Sequence, residues 1–520
     1  MRWTRAALLA SSLTVLLTTG CGAGPSQRPG VAVEHPHAGP GAVTTSTPPP
    51  PPPQAQKPKH DLAWHDCAAP TFGRLGFGAP PPGVIFECAD FTAPIDTAGT
   101  VMGSFRTAAV RARTAQTPPD AAPLVVTSGS DRSSTATVAG LAAGPGAAIL
   151  GTRPLVGVDR RGTGDSQPID CLPPEVRRGL ADNAQFTPGS GDKIDALATL
   201  SQNATIACQD FLQPYQGTFD APHAADDLDE LRKQWQVDRI DLLGTGNGAR
   251  VAMSYAAKYA GHLARLVLDS PEAPAADALT RTEQRVKGAE AAVTAFAQRC
   301  AGLHCSLGAD PRAAITDVVG KAASGQLGDL SAAAVTTTIT GFLGDPRADQ
   351  PAHIAELADA VAAAGHGDRG PLQALSGRVA ALVGSDGQFV STCSDNQQPA
   401  TPDRARTLQN DWGAKYPVFG RSAAVGLMAC TAWPAAQAPH MPDKLDLAAL
   451  VVGTAADPVV GDDGRAAVTG ALGAAGARVA TVQWAGWGHP AFTHSGCVQQ
   501  NIIGYLNDAT LPADGTACPA

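Results

Sequence analysis

The sequence predicts a doubly wound, mostly parallel α/β sheet with an inserted helical cap, and three observations carry that prediction. Short apolar, β-branched runs alternate with amphipathic stretches through residues 61–275 and again through 441–520. Runs such as Leu155-Val156-Gly157-Val158 and Ala449-Leu450-Val451-Val452 are apolar without alternation, which suits strands covered on both faces. Between residues 276 and 440 the pattern turns to alanine-rich helical periodicity with few strand signals. Helices on both faces of a parallel sheet are the layered solution for such alternation.

Taken in order, residues 1–21 form an export signal. Arg2 and Arg5 precede an apolar run from Ala6 to Leu17, and Thr18-Thr19-Gly20-Cys21 follows. The run is too short for a permanent membrane span. Cys21 after a small residue resembles a bacterial lipobox, with Thr18 where leucine is commoner; lipidation of Cys21 is expected, with plain cleavage or, last, a retained anchor as the alternatives. Each places the chain outside the cytoplasm, on the outer membrane face or in the medium. Residues 22–60 are rich in Pro, Gly, Thr and Ser and hold the unbroken run Pro48 to Pro53. They bury too little apolar surface to fold, so a semi-rigid tether is predicted.

The predicted strands are Ser104–Arg111, Pro123–Thr127, Leu155–Asp159, Ile240–Leu243, Ala264–Leu268, Ala448–Gly453 and Arg478–Trp484. Residues 61–275 and 441–520 make the core. Residues 276–440, with helices such as Ala289–Cys300 and Pro351–Ala364, make a cap over the carboxyl ends of the strands, where open α/β sheets bind ligands.

Setting Cys21 aside leaves ten of eleven cysteines, an even number suited to five disulfides in an oxidising compartment. Connectivity stays open at this level; pairing chain neighbours is the natural guess: Cys67 with Cys88, Cys171 with Cys208, Cys300 with Cys305, Cys393 with Cys430, and Cys497 with Cys518. A net charge of −9 without a basic stripe excludes a nucleic-acid partner. Repeats and metal-type Cys/His spacings are absent, no cofactor is expected, and the chain is expected to be monomeric.

Chemistry enters at Gly244-Thr245-Gly246-Asn247-Gly248, between the strand-like Ile240–Leu243 and the helical run beginning at Ala249. This is the strand, turn and helix of the α/β-hydrolase nucleophile elbow, with Gly246 where serine belongs. In that fold the order is nucleophile, acid, histidine, each after a strand. Asp457 follows one late strand and His489 the next. A buried carboxylate on one imidazole nitrogen fixes the tautomer and aims the other at the nucleophile.

These residues, together with Ala224 to Pro271, Leu155 to Ser166, Asp457-Pro458-Val459, Gly486-Trp487-Gly488-His489 and Ser495 through Cys518, resemble the exported tripeptidyl aminopeptidase family of actinobacteria, within the prolyl-aminopeptidase-like serine peptidases. Ser391 to Asp395 and Met428 to Pro434 fit the same resemblance. It implies an α/β-hydrolase ancestry and a pocket for short peptides with free N-termini.

Two departures stand out. Serine is replaced by Gly246, and the Gly-rich loop of relatives is replaced by Thr127-Ser128-Gly129-Ser130-Asp131-Arg132. That loop and the residue after the nucleophile supply the oxyanion hole, so Ser130 and Asn247 are the expected donors. Glycine relieves roughly 1–3 kcal/mol of elbow strain, yet it removes the attacking atom. Loss of a serine nucleophile costs about 10⁶-fold in kcat.

Ser128 and Ser130 are the candidate substitute hydroxyls; Thr245 should point away from the histidine, and Ser254 is two helical turns on. Water activated by His489 is a further alternative. Asp395 and Glu272 are candidate counter-ions for a substrate amine, against ordinary structural roles. Asp159 and Arg160 are expected to brace their loop, Trp433 and Trp487 to pack, and His494 to lie on the surface. Two readings follow: a tethered peptide or small-ligand binder with lost or much reduced hydrolysis, or an aminopeptidase or esterase with a non-standard nucleophile.

Overall fold

The computed structural model describes residues 52–520 apart from 190, 383, 384, 436, 438 and 439. The signal segment, Cys21 and residues 22–51 of the expected tether lie outside the described residues. Residues 52–60 differ from the expected free tether. They have no regular secondary structure, but Lys59 N–H donates to the Trp235 carbonyl at 2.9 Å and Asp238 N–H to Gln56 Oε1 at 2.9 Å, which fixes them against the core.

Ten strands form one sheet: β1 (His65–Asp66), β2 (Val84–Pro94), β3 (Ser104–Thr114), β4 (Leu124–Thr127), β5 (Leu155–Val158), β6 (Ile240–Thr245), β7 (Leu263–Asp269), β8 (Ala448–Ala456), β9 (Arg478–Trp487) and β10 (Thr516–Cys518). Their spatial order is β1-β2-β3-β5-β4-β6-β7-β8-β9-β10. From β5 through β4 to β10 every pairing is parallel, while β1, β2 and β3 add an antiparallel edge.

Period-two alternation explains the two covered faces. Leu243, Val267, Leu450 and Val452 point into one core with the helices Ser134–Ala143 and Gly496–Asp508. Leu242, Leu266, Leu268, Ala449 and Val451 point into the other, against Ala221–Gln234, Gly248–Tyr259 and Gly464–Ala474. Every residue of β6 is buried, including Asp241, whose carboxylate accepts from Arg153 Nη1 at 2.6 Å. Each predicted strand is present, with ends shifted by up to three residues. The strands missed were β1 and β10, only two and three residues long, and β2, whose mixed burial leaves no clean alternation to read.

Among the described residues, the chain between β7 and β8 runs through eight α-helices, beginning with Ala278–Gly302 and ending with Gly420–Gly426, and a short 3-10 turn Leu427–Cys430. Seven of the α-helices share an apolar core that includes Val293, Phe296, Ile339, Leu357 and Trp412 and also takes in Ile194, Leu197 and Leu200 of the helix Lys193–Leu212, while Val390 and Cys393 of the helix Gly387–Ser394 pack with Ile95, Phe105 and Phe219. All five cysteine pairs form as neighbours along the chain. Closing a loop as long as that between Cys171 and Cys208 removes about 4 kcal/mol of unfolded-chain entropy in the chain-entropy treatment.

Candidate active site

The elbow is built from the end of β6 and the start of the helix Gly248–Tyr259. Gly246 sits at φ +54°, a left-handed conformation that glycine adopts without steric cost. Its N–H donates to the Asp269 carbonyl at 3.1 Å. Gly248 is required for a different reason: a Cβ there would lie 2.0 Å from the Thr127 carbonyl oxygen, so only glycine lets the helix start this close to β4.

Asp457 and His489 come together from the loops after β8 and β9. His489 Nδ1 lies 2.7 Å from Asp457 Oδ2, and Asp457 Oδ1 accepts from the N–H groups of Val459 and Val460 at 2.8 and 2.9 Å. Those contacts orient the carboxylate. The free ring edge faces the elbow: a Cβ on Gly246 would stand 3.1 Å from His489 Nε2. Among the described residues no hydroxyl hydrogen-bonds to that nitrogen.

Burial alone would lower the imidazole's proton affinity, but the Asp457 carboxylate, aided by Asp131 and Asp269, outweighs it and holds His489 above the ordinary histidine value. A raised folded value means this contribution to stability is complete below the unfolded value of 6.5 and fades as pH rises through the folded one. Asp457→Asn is expected to lower the His489 titration midpoint, because the largest influence raising it is the Asp457 charge. NMR of the ring protons checks this; an unchanged midpoint would remove Asp457 as the cause.

Asp131 occupies the space that a hydrolase leaves open. Its Oδ2 accepts from the Asn247 N–H at 2.6 Å and lies 2.8 Å from where a residue-246 Cβ would be. The expected donor after the nucleophile position is thus already bound to an anion at a helix N-terminus, where the backbone field favours negative charge. Arg285 Nη2 donates to Asp131 Oδ1 at 2.9 Å, and Arg285 Nε to Glu272 Oε1 at 2.7 Å. Asn247 Nδ2 donates to Glu272 Oε2 at 3.2 Å. Burial and the neighbouring Glu272 charge push Asp131 up despite Arg285. Burial also opposes ionisation of Glu272, yet Arg285, Arg281 and Arg250 outweigh it and hold the carboxyl down at about 2.

The other sequence-predicted residues are engaged rather than free. Ser130, the second expected oxyanion donor, points both its N–H and Oγ at Asn247 Oδ1, at 3.0 and 3.1 Å. Ser128 Oγ pairs with Thr137 Oγ1 at 2.7 Å and accepts from Thr245 Oγ1 at 3.0 Å. Asp395 accepts from Arg160 Nη1 at 2.8 Å and from the Ala221 N–H at 2.9 Å. Asp159 takes the Thr135 and Asp165 N–H groups, bracing its loop, and burial pushes it up to about 6. Trp487 packs edge-on to Phe296, and Trp433 edge-on to Phe389.

His494 is the correction in this set. Its side chain is fully enclosed, stacked on Trp484 with centroids 5.3 Å apart, and Nδ1 is 3.3 Å from Asp349 Oδ1. Sequence reasoning quoted Asp131 within the altered loop without giving it a role, and it missed Arg285. The available signal was an acidic residue where relatives have a glycine-rich loop.

The elbow after β6, the acid after β8 and the histidine after β9 lie along a doubly wound sheet in the order of the hydrolase plan. This is the α/β-hydrolase fold, with a TAP-like C-terminal segment. Residues 416–518 match the family described as TAP-like protein, a stretch that holds Asp457 and His489 but not Gly246. Tripeptidyl aminopeptidases of Streptomyces lividans and Streptomyces coelicolor are each 30% identical to this chain over 125 residues, 24% of this chain and 23% of theirs. The match therefore spans about a quarter of those relatives. Among solved structures, a thermophilic esterase from Thermogutta terrifontis is 14% identical, with 80% of this chain and 97% of that one covered and a TM-score of 0.35. An esterase from Rhodococcus sp. ECU1013 is 15% identical, with 81% and 99% covered and a TM-score of 0.34.

Proposed function

We propose that this protein is an exported, lipid-anchored α/β-hydrolase-fold protein of TAP-like ancestry that retains a pocket for a peptide or small molecule and has lost, or nearly lost, hydrolysis. One observation carries the reading: the Asp131 carboxylate is hydrogen-bonded to the Asn247 N–H, where a substrate carbonyl oxygen would have to sit, beside a Gly246 that bears no hydroxyl. A carbonyl oxygen gaining negative charge there meets an anion instead of a donor. Asp457 and His489 remain as a relay with nothing to activate.

Incubation of the purified protein with a fluorophosphonate probe is expected to leave every serine unlabelled. A covalent adduct on Ser128, Ser130 or any other serine would overturn the reading in favour of an aminopeptidase or esterase with a non-standard nucleophile. Anchoring rests on Cys21 following the apolar run from Ala6 to Leu17. Cys21→Ser is expected to move the protein from the membrane fraction to the medium; equal membrane retention would remove the lipid anchor.

A further inference from the structure

A second feature lies beside the helix Gly248–Tyr259 that leaves the elbow. A cavity of about 310 Å³ opens between the helix Lys193–Leu212, the start of Ala221–Gln234, the helix Gly248–Tyr259 and the segment around Trp433. Its volume is that of a small-ligand pocket. Arg250 lines it while being only 1% exposed. One of its nitrogens, Nη2, donates to the Asp395 carbonyl at 3.2 Å; Nε and Nη1 are buried and have no hydrogen-bond partner among the described residues. Ser394 Oγ and Gln216 Oε1, on the same wall, are also buried and unpartnered. A buried guanidinium with two idle N–H groups is costly to keep unless something accepts from it.

The acids lining this cavity are committed elsewhere, and Glu272, whose charge Arg250 helps to hold, lies outside the lining. Asp395 gives its carboxylate to Arg160 and the Ala221 N–H, and Asp220 gives its own to the backbone and ring of His223. Arg250 is therefore the group with unused donors. Nε and Nη1 lie on opposite edges and cannot both meet one carboxylate, but the second Nη2 proton pairs with one of them in a fork that gives a planar carboxylate two parallel N–H bonds, and the Ser394 hydroxyl supplies a third donor.

We propose that this cavity binds a carboxylate-bearing small ligand through Arg250 and Ser394. This rests on the reading of a retained ligand pocket and names the chemistry of its occupant. The carboxylate could belong to a short peptide's C-terminus or to a free organic acid, and the test separates the two.

Calorimetric titration of the full-length protein with Ala-Ala-Ala, its C-terminal amide and succinate decides the matter. At least one of the two acids is expected to bind with a dissociation constant of about 1 mM or tighter. If the tripeptide binds, the amide is expected to bind at least tenfold more weakly. Succinate binding alone assigns the site to free acids. Arg250→Gln is expected to weaken binding at least tenfold and Ser394→Ala severalfold. Should Arg250→Gln fail to fold, Arg250→Lys keeps the charge without the fork, and an intermediate loss is expected. Equal binding of acid and amide, no binding of either acid, or binding untouched by these substitutions would overturn the assignment. Tripeptide binding that ignores Arg250 and Ser394 would overturn it while leaving a peptide pocket in place, and fluorophosphonate labelling reports separately on hydrolysis.

Discussion

Gly246→Ser alone is expected to leave cleavage of an N-terminally free tripeptide reporter at background, while Gly246→Ser combined with Asp131→Gly is expected to exceed the single variant by about 10²–10³-fold in kcat/KM, the worth of one oxyanion donor. A serine Cβ at 246 would lie 2.8 Å from Asp131 Oδ2, too close to keep, so the new side chain and the carboxylate compete for one space. The serine would face His489, whose Nε2 is 3.1 Å from that Cβ position, and Asp457 already orients the ring. What the single variant lacks is the Asn247 N–H, which Asp131 holds. Removing Asp131 releases it. Full family-like activity is not expected, because the Ser130 N–H stays committed to Asn247 Oδ1. If Gly246→Ser alone matched the double variant, Asp131 would not be the obstacle.

Arg285→Gln is expected to cost about 3–5 kcal/mol at neutral pH, the usual toll of stripping a buried charge of its partner. Asp131 and Glu272 would then share a buried space without the cation that holds them together. The pH dependence follows from the directions. In the parent, Glu272 is held down at about 2, so its contribution is present above the unfolded value of 4.5 and is lost as pH falls from there toward 2. Asp131 is raised and works the other way, costing stability once pH exceeds its unfolded value of 3.8. In the variant both carboxyls sit higher than in the parent, Glu272 less so because Arg281 and Arg250 remain beside it, so acid relieves the loss and the gap to the parent narrows as pH falls from 7.5 to 5. Urea unfolding at the two pH values measures this, and a gap that widened toward pH 5 would refute the pairing.

How much of this could be read in the chain depends on the range of the interaction. The turn Gly244 to Gly248, Asp457 and His489 were legible because each sits directly after a strand whose apolar run announces it, and the geometry needed is local. The disulfide guess worked for the same reason: partners are neighbours. Asp131 was visible as an oddity in a loop, yet its role depends on Arg285, 154 residues away, which no local pattern links to it. Asp395 looked like a free carboxylate because Arg160, 235 residues distant, is not near it in sequence. His494 was misplaced because stacking on Trp484, a tertiary event, decides its burial. In β2, residues Val84–Pro94 carry no strict alternation, and that strand went unseen.

The cysteine pairing has a bearing on biogenesis. Every bridge joins a thiol to the next one downstream, across 21, 37, 5, 37 and 21 residues. A polypeptide delivered amino end first to an oxidant meets the right partner as the very next thiol to arrive, so vectorial oxidation yields the native set without reshuffling. None of the bridges staples the eight-helix insertion to the sheet, so that junction is held by non-covalent contacts alone, among them the Arg160–Asp395 and Arg285–Asp131 pairs.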